Sequence, residues 1–374
     1  MIGDIHRRFL EVGADIVEIN TFGAISIAQS EFFVDDPREY GGRKDPAFYQ
    51  KIVEDPFLRG LASEINEQSA RQCREWADRV GNRDGKQRFV AGAIGSLTVS
   101  LSNSPDAEDS GFRVATFDQV KQSYAEQVRA LIAGGCDLLL VETIFDSLNA
   151  KAALVALREV FDEDGKELPV IVSAAVGRGG ETMISAQTVA AFWNAMKHIQ
   201  PLAIGLNCSL GPDLMYPFLS ELAGCASTAI SCYPNAGLPN PLSPTGFDLE
   251  PADMARYLGT FADAGLLNIA GGCCGNTPEH IAAIARALQG RPGRPHVTRG
   301  MTRPAERAVP RELAPAQTAG AAPFVPLRLS GSQPFTQQQG VYMMIGERTN
   351  VAGSPKFAKL IKEGKYEEAV SVAR

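Results

Sequence analysis

The sequence predicts an α/β fold built on a parallel β-sheet, and two observations lead to this prediction. Short apolar runs recur from the start of the chain to about residue 288, and each run is nearly continuous rather than alternating. Each is followed by a polar or Gly-rich turn and then by an amphipathic stretch of helical length. Strands that are buried on both faces have this composition, and they occur in parallel sheets covered by helices.

Seven strand candidates share this pattern. They are residues 15–20 (DIVEIN), 88–95 (RFVAGAIG), 137–143 (DLLLVET), 169–176 (PVIVSAAV), 202–208 (LAIGLNC), 228–235 (TAISCYPN) and 266–272 (LLNIAGG). A (β/α)8 barrel has eight strands, and the chain opens on a helical pattern, IGDIHRRFLEVGAD, of the kind that follows a strand. Either the sheet is open, or the first strand of a barrel is absent from this chain.

The segments between the strands predict helices, with one exception. Amphipathic stretches of helical length include residues 117–132, 147–160 and 278–288. The last of them has Thr277 at its N-cap and Pro278 at its first position, which is a favourable helix start. Residues 31–58 break the repeat and predict an irregular insertion after the first visible strand.

Changes in composition divide the chain into three parts. Residues 1–289 carry the repeated strand and helix units, and residues 290–340 are rich in Pro, Arg and Ala, which predicts a linker. Residues 341–374 contain a strand-and-turn pattern, VYMMIGERTN, and then a helical pattern. Because about 35 residues cannot bury a core of their own, we expect them to begin a further domain that this chain does not complete.

The overall composition argues against some kinds of binding partner and favours one cellular location. The chain has 374 residues, of which 45% are hydrophobic and 21% charged, with a formal net charge of −7. The absence of a basic stripe argues against nucleic acid or an anionic membrane as a partner. Apolar runs no longer than a strand argue against a membrane span. Seven cysteines, an odd count, favour reduced thiols in the cytoplasm over a disulfide framework.

Three of the cysteines lie at predicted strand ends. Cys208 ends one strand, and the adjacent Cys273 and Cys274 follow another, within the stretch GGCCG. The carboxyl ends of parallel strands meet at one face of a barrel, so the three thiols can converge there, and the glycines permit the sharp turn that aims both neighbours at one point. Three thiolates with an open fourth position would form a catalytic zinc site, whereas a fourth fixed ligand would make the site structural.

Two other interpretations of these cysteines remain open. Free cysteines are usually buried and inert, and that interpretation suits the other four, Cys73, Cys136, Cys225 and Cys232. A redox pair is the second alternative. However, adjacent cysteines form only a strained ring, and CxxC is the expected redox spacing.

Several motifs together resemble the homocysteine S-methyltransferase family. They are VEINTF, LLLVETIFDSLNAKAAL, GLNCSLGP, YPNAGLPN and GGCCGNTPEHIAAIARAL, within residues 1 to about 288. The tail, IGERTNVAGSPKFAKLIKEGKYEEAVSVAR, resembles the start of the pterin (methyltetrahydrofolate) domain of the cobalamin-dependent methionine synthases. That domain order is particular to those enzymes, since betaine-dependent and S-methylmethionine-dependent relatives stop after one barrel.

The resemblance implies a (β/α)8 TIM barrel lacking its first strand, then a linker and the first strand–helix unit of a second barrel. In that barrel Cys208, Cys273 and Cys274 would hold Zn²⁺, with no catalytic residue beyond the zinc site. Glu142 matches a family carboxylate that receives the homocysteine amino group; the alternative is a strand-end carboxylate that caps the next helix. Asn235 matches a residue close to the zinc; the alternative is a turn residue before a glycine.

Four further residues are placed in binding pockets by the resemblance. Gly95 and Ser96 lie where the family often has Gly-Pro lining the substrate pocket, so Ser96 departs from the pattern. Glu347 and Asn350, in GERTN, would line a pterin pocket that needs a whole second barrel. The family also begins with a strand that reads like LDGAMGT and supplies an acidic residue to homocysteine. We therefore expect this chain to be a fragment, truncated at both ends.

The reaction implied is methyl transfer to the zinc-bound thiolate of L-homocysteine, giving L-methionine. The methyl group would come from methylcobalamin, recharged from 5-methyltetrahydrofolate, on cobalamin-binding and folate-binding modules of the parent enzyme. Two alternatives are a cobalamin-independent enzyme that uses betaine or S-methylmethionine, and a non-catalytic zinc-binding barrel fragment.

Overall fold

A curled, parallel, seven-stranded sheet forms the centre of the larger unit. The computed structural model describes residues 1–109, 111–243, 246–295, 326–343 and 354–373. The strands are β1 (Ile16–Glu18), β2 (Phe89–Ile94), β3 (Leu138–Ile144), β4 (Val170–Ala174), β5 (Ala203–Asn207), β6 (Ala229–Tyr233) and β7 (Ile269–Ala270). Each pairs in parallel with its neighbour in chain order, so β1 and β7 are the edges. The predicted α/β fold with a parallel sheet of seven strands is confirmed.

Helices follow the strands, and all three helices predicted at 117–132, 147–160 and 278–288 are present. The first five are α1 (Ile2–Glu11), α2 (Ser26–Phe33), α3 (Pro46–Glu54), α4 (Pro56–Asp84) and α5 (Phe117–Ala133). The next five are α6 (Ser147–Asp164), α7 (Val189–Met196), α8 (Pro212–Cys225), α9 (Pro251–Asp263) and α10 (Pro278–Leu288). In the described part of the chain, none of the helices is both long enough and apolar enough to cross a membrane.

The irregular insertion predicted for residues 31–58 is wrong, because most of this segment is helical. It contains the end of α2, a 3-10 turn at Pro37–Tyr40, all of α3 and the start of α4. Two Asp-Pro pairs begin the later helices: the Asp45 carboxylate accepts from the Phe48 amide at 2.8 Å, and Asp55 accepts from the Leu58 amide at 2.9 Å. Asp at the N-cap followed by Pro is a helix start, and the expectation of an irregular insertion did not take this signal into account.

The two faces of the sheet bury different groups. The outward face joins the helices in one large apolar core. The inward face carries a small cluster that includes Ala91, Leu140, Ile171 and Ala229. Side chains two residues apart share a face of a strand, so the inward face continues toward the carboxyl ends of the strands as a polar layer. That layer consists of Glu18, Glu142, Ser173, Asn207 and Tyr233.

Among the described residues, the smaller unit contains residues 326–328, 336–343 and 354–373, and residues 329–335 are grouped with the larger unit. Its two helices, α11 (Pro355–Lys362) and α12 (Tyr366–Ala373), pack through Phe357, Leu360 and Ala369. Residues 328–336 form a two-stranded hairpin of β8 (Arg328–Ser330) and β9 (Pro334–Thr336). In the larger unit, the carbonyl oxygen of Ser332 accepts from the Thr188 amide at 3.0 Å, which ties the hairpin loop to the start of α7.

The close approach of β5 and β6 depends on a glycine, which gives a test of the sheet. Gly205 is paired with Ser231, and a Cβ at Gly205 would lie 2.0 Å from Ser231 Oγ and 2.2 Å from its carbonyl oxygen. We predict that Gly205→Ala lowers the free energy of unfolding by about 1–3 kcal/mol, the usual cost of overpacking a core. Urea denaturation measures it.

The control is Gly224→Ala, because a Cβ at Gly224, in the exposed part of α8, would have nothing within 4 Å. That substitution should be neutral or stabilising by up to about 1 kcal/mol, since Gly is a poor helix former. Equal stability of the two variants would contradict the β5–β6 register.

Candidate metal centre

The backbone after β5 and β7 brings three cysteines to one point. Cys208 directly follows β5, and Cys273 and Cys274 follow β7 after two glycines. Cys208 and Ser209 both adopt the left-handed region, at φ 58° and 53°. This conformation costs a non-glycine residue about 1–2 kcal/mol, and the Ser209 hydroxyl secures it by donating to the Val176 carbonyl oxygen at 2.8 Å. Strain of this kind is concentrated at functional sites.

The distances between the sulfur atoms fit a tetrahedral metal. The Cys208 and Cys274 Sγ atoms are 3.8 Å apart, those of Cys273 and Cys274 are 3.9 Å apart, and all three lie within 4.8 Å of one another. Two sulfurs about 2.3 Å from one Zn²⁺ at the tetrahedral angle would be about 3.8 Å apart. Cys274 is exposed and the other two are half-buried, so the cluster can be reached from solvent. The donor set therefore fits Zn²⁺ with an accessible fourth position.

The thiol cluster concentrates negative charge on one sulfur. Hydrogen bonds from the Cys273 and Cys274 thiols lower the pKa of Cys208 to about 3. The same hydrogen bonds raise the pKa of Cys273 and Cys274, because each donates to the Cys208 thiolate. Because a metal binds the thiolate form of cysteine, binding of a cation by all three sulfurs would release the protons that the thiols carry.

The segment that follows β7 is held in place by the segment that follows β6. The Cys273 amide donates to the Pro234 carbonyl oxygen at 2.9 Å, and the Cys274 amide donates to Asn235 Oδ1 at 3.1 Å. Asn235 is buried, and its side chain also hydrogen-bonds the Cys208 sulfur. Asn235 therefore contacts the backbone of one predicted ligand and the sulfur of another.

The glycines around the cysteine pair have separate steric roles. The Asn276 side chain lies over Gly272, where a Cβ would be 2.1 Å from its Cγ atom. Gly275 adopts φ +78°, and a Cβ there would lie 2.4 Å from the Phe247 ring. A side chain at either position would displace a neighbour that holds the turn, which explains why glycine flanks both cysteines.

Glu142 lies on the inward face of β3 and is almost fully buried. Burial raises its pKa well above the ordinary value, and the negative charge of Glu18 raises it further. The register between β3 and β4 shifts between Val141 and Ile144, a bulge that alters the direction of the strand at this residue. Thr143, next to it, is held at φ 53°.

Gly95 and Ser96 lie at the end of β2, beside Thr143. The Ser96 hydroxyl donates to the Thr143 carbonyl oxygen, and a Cβ at Gly95 would overlap the Phe22 ring. Ser96, Phe22 and Phe145 are among the residues that line a cavity of about 450 Å³. The two residues predicted for the pterin pocket, Glu347 and Asn350, lie outside the described residues.

Sequence reasoning missed a buried polar network under the cluster. Asn207 Oδ1 accepts from the Ser173 hydroxyl at 2.7 Å and from the Thr143 amide at 3.1 Å. Its Nδ2 atom donates to Thr143 Oγ1 at 2.8 Å and lies 4.0 Å from Cys273 Sγ. The Tyr233 hydroxyl is buried nearby in the polar layer, where it interacts with Ser173 and with Glu142. The available signal was positional, since these are the last inward-facing residues of their strands.

A larger cavity, of about 570 Å³, lies at the other end of the sheet. Its lining residues include Arg74 in α4, and Lys86 and Arg88 in the segment between α4 and β2. In parallel α/β folds the chemistry lies at the carboxyl ends of the strands, so the cysteine cluster, and not this cavity, is the candidate site.

Comparison with known proteins gives one family and one fold. A family model described as homocysteine S-methyltransferase matches residues 1–288. Two similar crystal structures are of the homocysteine methyltransferase MmuM from Escherichia coli. The oxidised form is 19% identical with a TM-score of 0.56, the metallated form is 18% identical with a TM-score of 0.55, and each match covers 76% of this chain and 83% of that chain. These structures share the curled parallel sheet, a TIM-barrel-like fold.

The ligand set can be tested by metal content. We predict that Cys273→Ala reduces bound zinc from about one ion per chain to a trace, because the two remaining thiolates cannot complete a tetrahedral site. Mass spectrometry of metal in the purified protein measures it. The control is Cys225→Ala, since Cys225 is exposed and lies outside the cluster. Zinc retained by the first variant, or lost from the control, would contradict the assignment.

Proposed function

The chain belongs to the homocysteine S-methyltransferase family, and we propose that it transfers a methyl group to the sulfur of L-homocysteine, giving L-methionine. The single observation that carries the proposal is the convergence of Cys208, Cys273 and Cys274 within 4.8 Å at the carboxyl ends of β5 and β7. Three thiols with one side open to solvent suit a metal that receives a thiol substrate.

A Zn²⁺ ion bound there would supply Lewis acidity, which lowers the pKa of a substrate thiol so that the sulfur is a nucleophile at neutral pH. The chain's own residues set the conditions for this chemistry. The Cys273 and Cys274 backbones are held by Pro234 and Asn235, so their sulfurs keep fixed positions. The exposure of Cys274 leaves a path by which a small thiol and then a methyl donor can approach.

Glu142 is proposed to orient the substrate. Its carboxyl group is buried on the inward face, and a network through Thr143 and Asn207 links its strand end to Cys273. A carboxylate in this position would bind the ammonium group of an amino-acid thiol while the sulfur occupies the metal. Gly95 and Ser96, which contact Phe22 and Thr143, would form the adjoining wall of the substrate pocket.

For the methyl donor we propose methylcobalamin, recharged from 5-methyltetrahydrofolate. The support is the resemblance of the tail to the start of a pterin domain, in which Glu347 and Asn350 would contact the pterin. The cobalamin-binding and folate-binding modules of such an enzyme would then be partners of this site, and the cytoplasm its location. Betaine and S-methylmethionine are the competing donors.

A donor assay tests the function. The zinc-loaded protein is incubated with homocysteine and, in separate reactions, with free methylcobalamin, S-methylmethionine or betaine, and methionine is measured by mass spectrometry. We predict methionine formation with methylcobalamin and none above the uncatalysed rate with the other two donors. The matched control is Cys273→Ala, which should form no methionine.

The outcomes separate the alternatives. Methionine formed only from betaine or S-methylmethionine would contradict the donor and leave the methyl transfer standing. No methionine from any donor, together with no binding of homocysteine by the zinc protein, would contradict the function and favour a zinc-binding barrel without turnover.

A further inference from the structure

Asn207 is a fully buried polar residue at the end of β5, directly before the predicted ligand Cys208. An asparagine side chain has two N–H donors and one oxygen acceptor, and a buried amide normally has a partner for each of them. The partners of this amide therefore show what holds Asn207 in place and which group it acts on.

A backbone group fixes the orientation of the Asn207 amide. The Thr143 backbone N–H, which can only donate, lies 3.1 Å from Asn207 Oδ1, and the Ser173 hydroxyl donates to the same oxygen at 2.7 Å. Exchanging the oxygen and nitrogen positions of the amide would make two N–H groups face each other. The amide oxygen therefore faces the Thr143 backbone, and Nδ2 faces the Thr143 hydroxyl and the cysteine cluster.

The two N–H groups of Nδ2 have unequal partners. One donates to Thr143 Oγ1 at 2.8 Å, and for the other the acceptor within reach among the described residues is the Cys273 sulfur, at 4.0 Å. A thiol is a weak acceptor, whereas hydrogen bonds to an ionised group are shorter and stronger. Because cysteine binds a metal as the thiolate, metal binding would give this N–H a charged acceptor.

Thr143 holds the amide in place through a strained backbone. In the alternating pattern of β3, Leu139 and Val141 belong to the outward core, and Thr143 would follow them. The register shift after Val141 and a φ of 53° instead bring the Thr143 side chain to Asn207. Three contacts secure this conformation, since Asn207 bonds the Thr143 amide and hydroxyl and the Ser96 hydroxyl donates to the Thr143 carbonyl oxygen. Strained positions of this kind are concentrated at functional sites.

We propose that Asn207 is a positioning residue of the metal centre, and that its Nδ2–H donates a hydrogen bond to the Cys273 thiolate when a metal is bound. The inference rests on the proposed function, because it takes Cys208, Cys273 and Cys274 to be metal ligands. A hydrogen bond withdraws part of the negative charge of a thiolate. Cys273 would therefore donate less charge to the metal, which leaves the fourth position more favourable for a substrate thiolate.

Substitution of Asn207 tests the hydrogen bond with cobalt(II) as the probe, because the sulfur-to-cobalt absorption band depends on the charge of the bound sulfurs. Asn207→Asp keeps the size and the Oδ1 acceptor and removes the N–H donor, and Asn207→Leu removes all hydrogen bonding. We expect the band to move to lower energy in both variants. Zinc affinity, measured by competition with a chelator, should fall about 10- to 100-fold, as is typical when a partner of a metal ligand is lost.

The matched control is Asn66→Asp. Asn66 is also fully buried, and its Nδ2 donates to the Ala24 and Ala62 carbonyl oxygens, outside the cysteine cluster. This variant should leave the cobalt band and the zinc affinity unchanged even if it lowers the stability of the fold. A band that moves equally in the control and the Asn207 variants, or that moves in neither Asn207 variant, would overturn the proposal.

A measurement on the wild-type protein covers the case in which the Asn207 variants do not fold. With the magnetic isotope of cadmium at the site, a side-chain N–H proton of Asn207 should show scalar coupling to the metal through the hydrogen bond in nuclear magnetic resonance spectra. Cadmium bound without this coupling would overturn the role of Asn207 alone. A wild-type protein that binds none of the three metals would overturn the metal centre and, with it, the proposed function.

Discussion

Three sulfur atoms carried by two strands must lie about 3.8 Å apart to share one tetrahedral zinc, and the carboxyl end of the sheet is arranged around that requirement. β5 and β7 are separated by β6, so their ends approach only because the sheet is curled. Cys208 meets the requirement through a left-handed backbone. Cys273 and Cys274 meet it through a glycine-flanked turn that hydrogen-bonds the segment after β6. The strained and glycine-dependent positions of this region thus have a common cause.

The same end of the sheet shows how an apolar interior becomes a polar site. Apolar side chains, mainly alanine and leucine, fill the inward face near the amino ends of the strands. The next inward-facing positions, nearer the carboxyl ends, carry polar side chains. The Asn207 side chain hydrogen-bonds three atoms, the Thr143 amide, Thr143 Oγ1 and the Ser173 hydroxyl, and so connects β3, β4 and β5 beneath the cysteines. These hydrogen bonds hold the Asn207, Thr143 and Ser173 side chains in one arrangement beneath the cysteines. Cys274, which follows the edge strand β7, remains accessible to solvent.

The strands could be predicted from the sequence because burial on both faces makes them continuously apolar, as in DLLLVET. The cysteine cluster could be predicted because its three residues lie at the ends of such strands. The helices around Asp45 and Asp55 were not, since Asp-Pro occurs both in loops and at helix starts and only the contacts that follow distinguish them. Glu18 was passed over for a related reason. Its neighbours in sequence are apolar. Its position near Glu142 on the inward face follows from the order of β1, β2 and β3 in the sheet, which no local sequence pattern reveals.

The central claim is that three cysteine sulfurs hold zinc and leave one position for the substrate sulfur. X-ray absorption at the zinc edge measures this coordination directly, in the protein alone and after addition of homocysteine. The account predicts about three sulfur neighbours near 2.3 Å and one lighter ligand in the first case, and about four sulfurs in the second. Four sulfurs before homocysteine is added, or a sulfur count that homocysteine does not change, would contradict it.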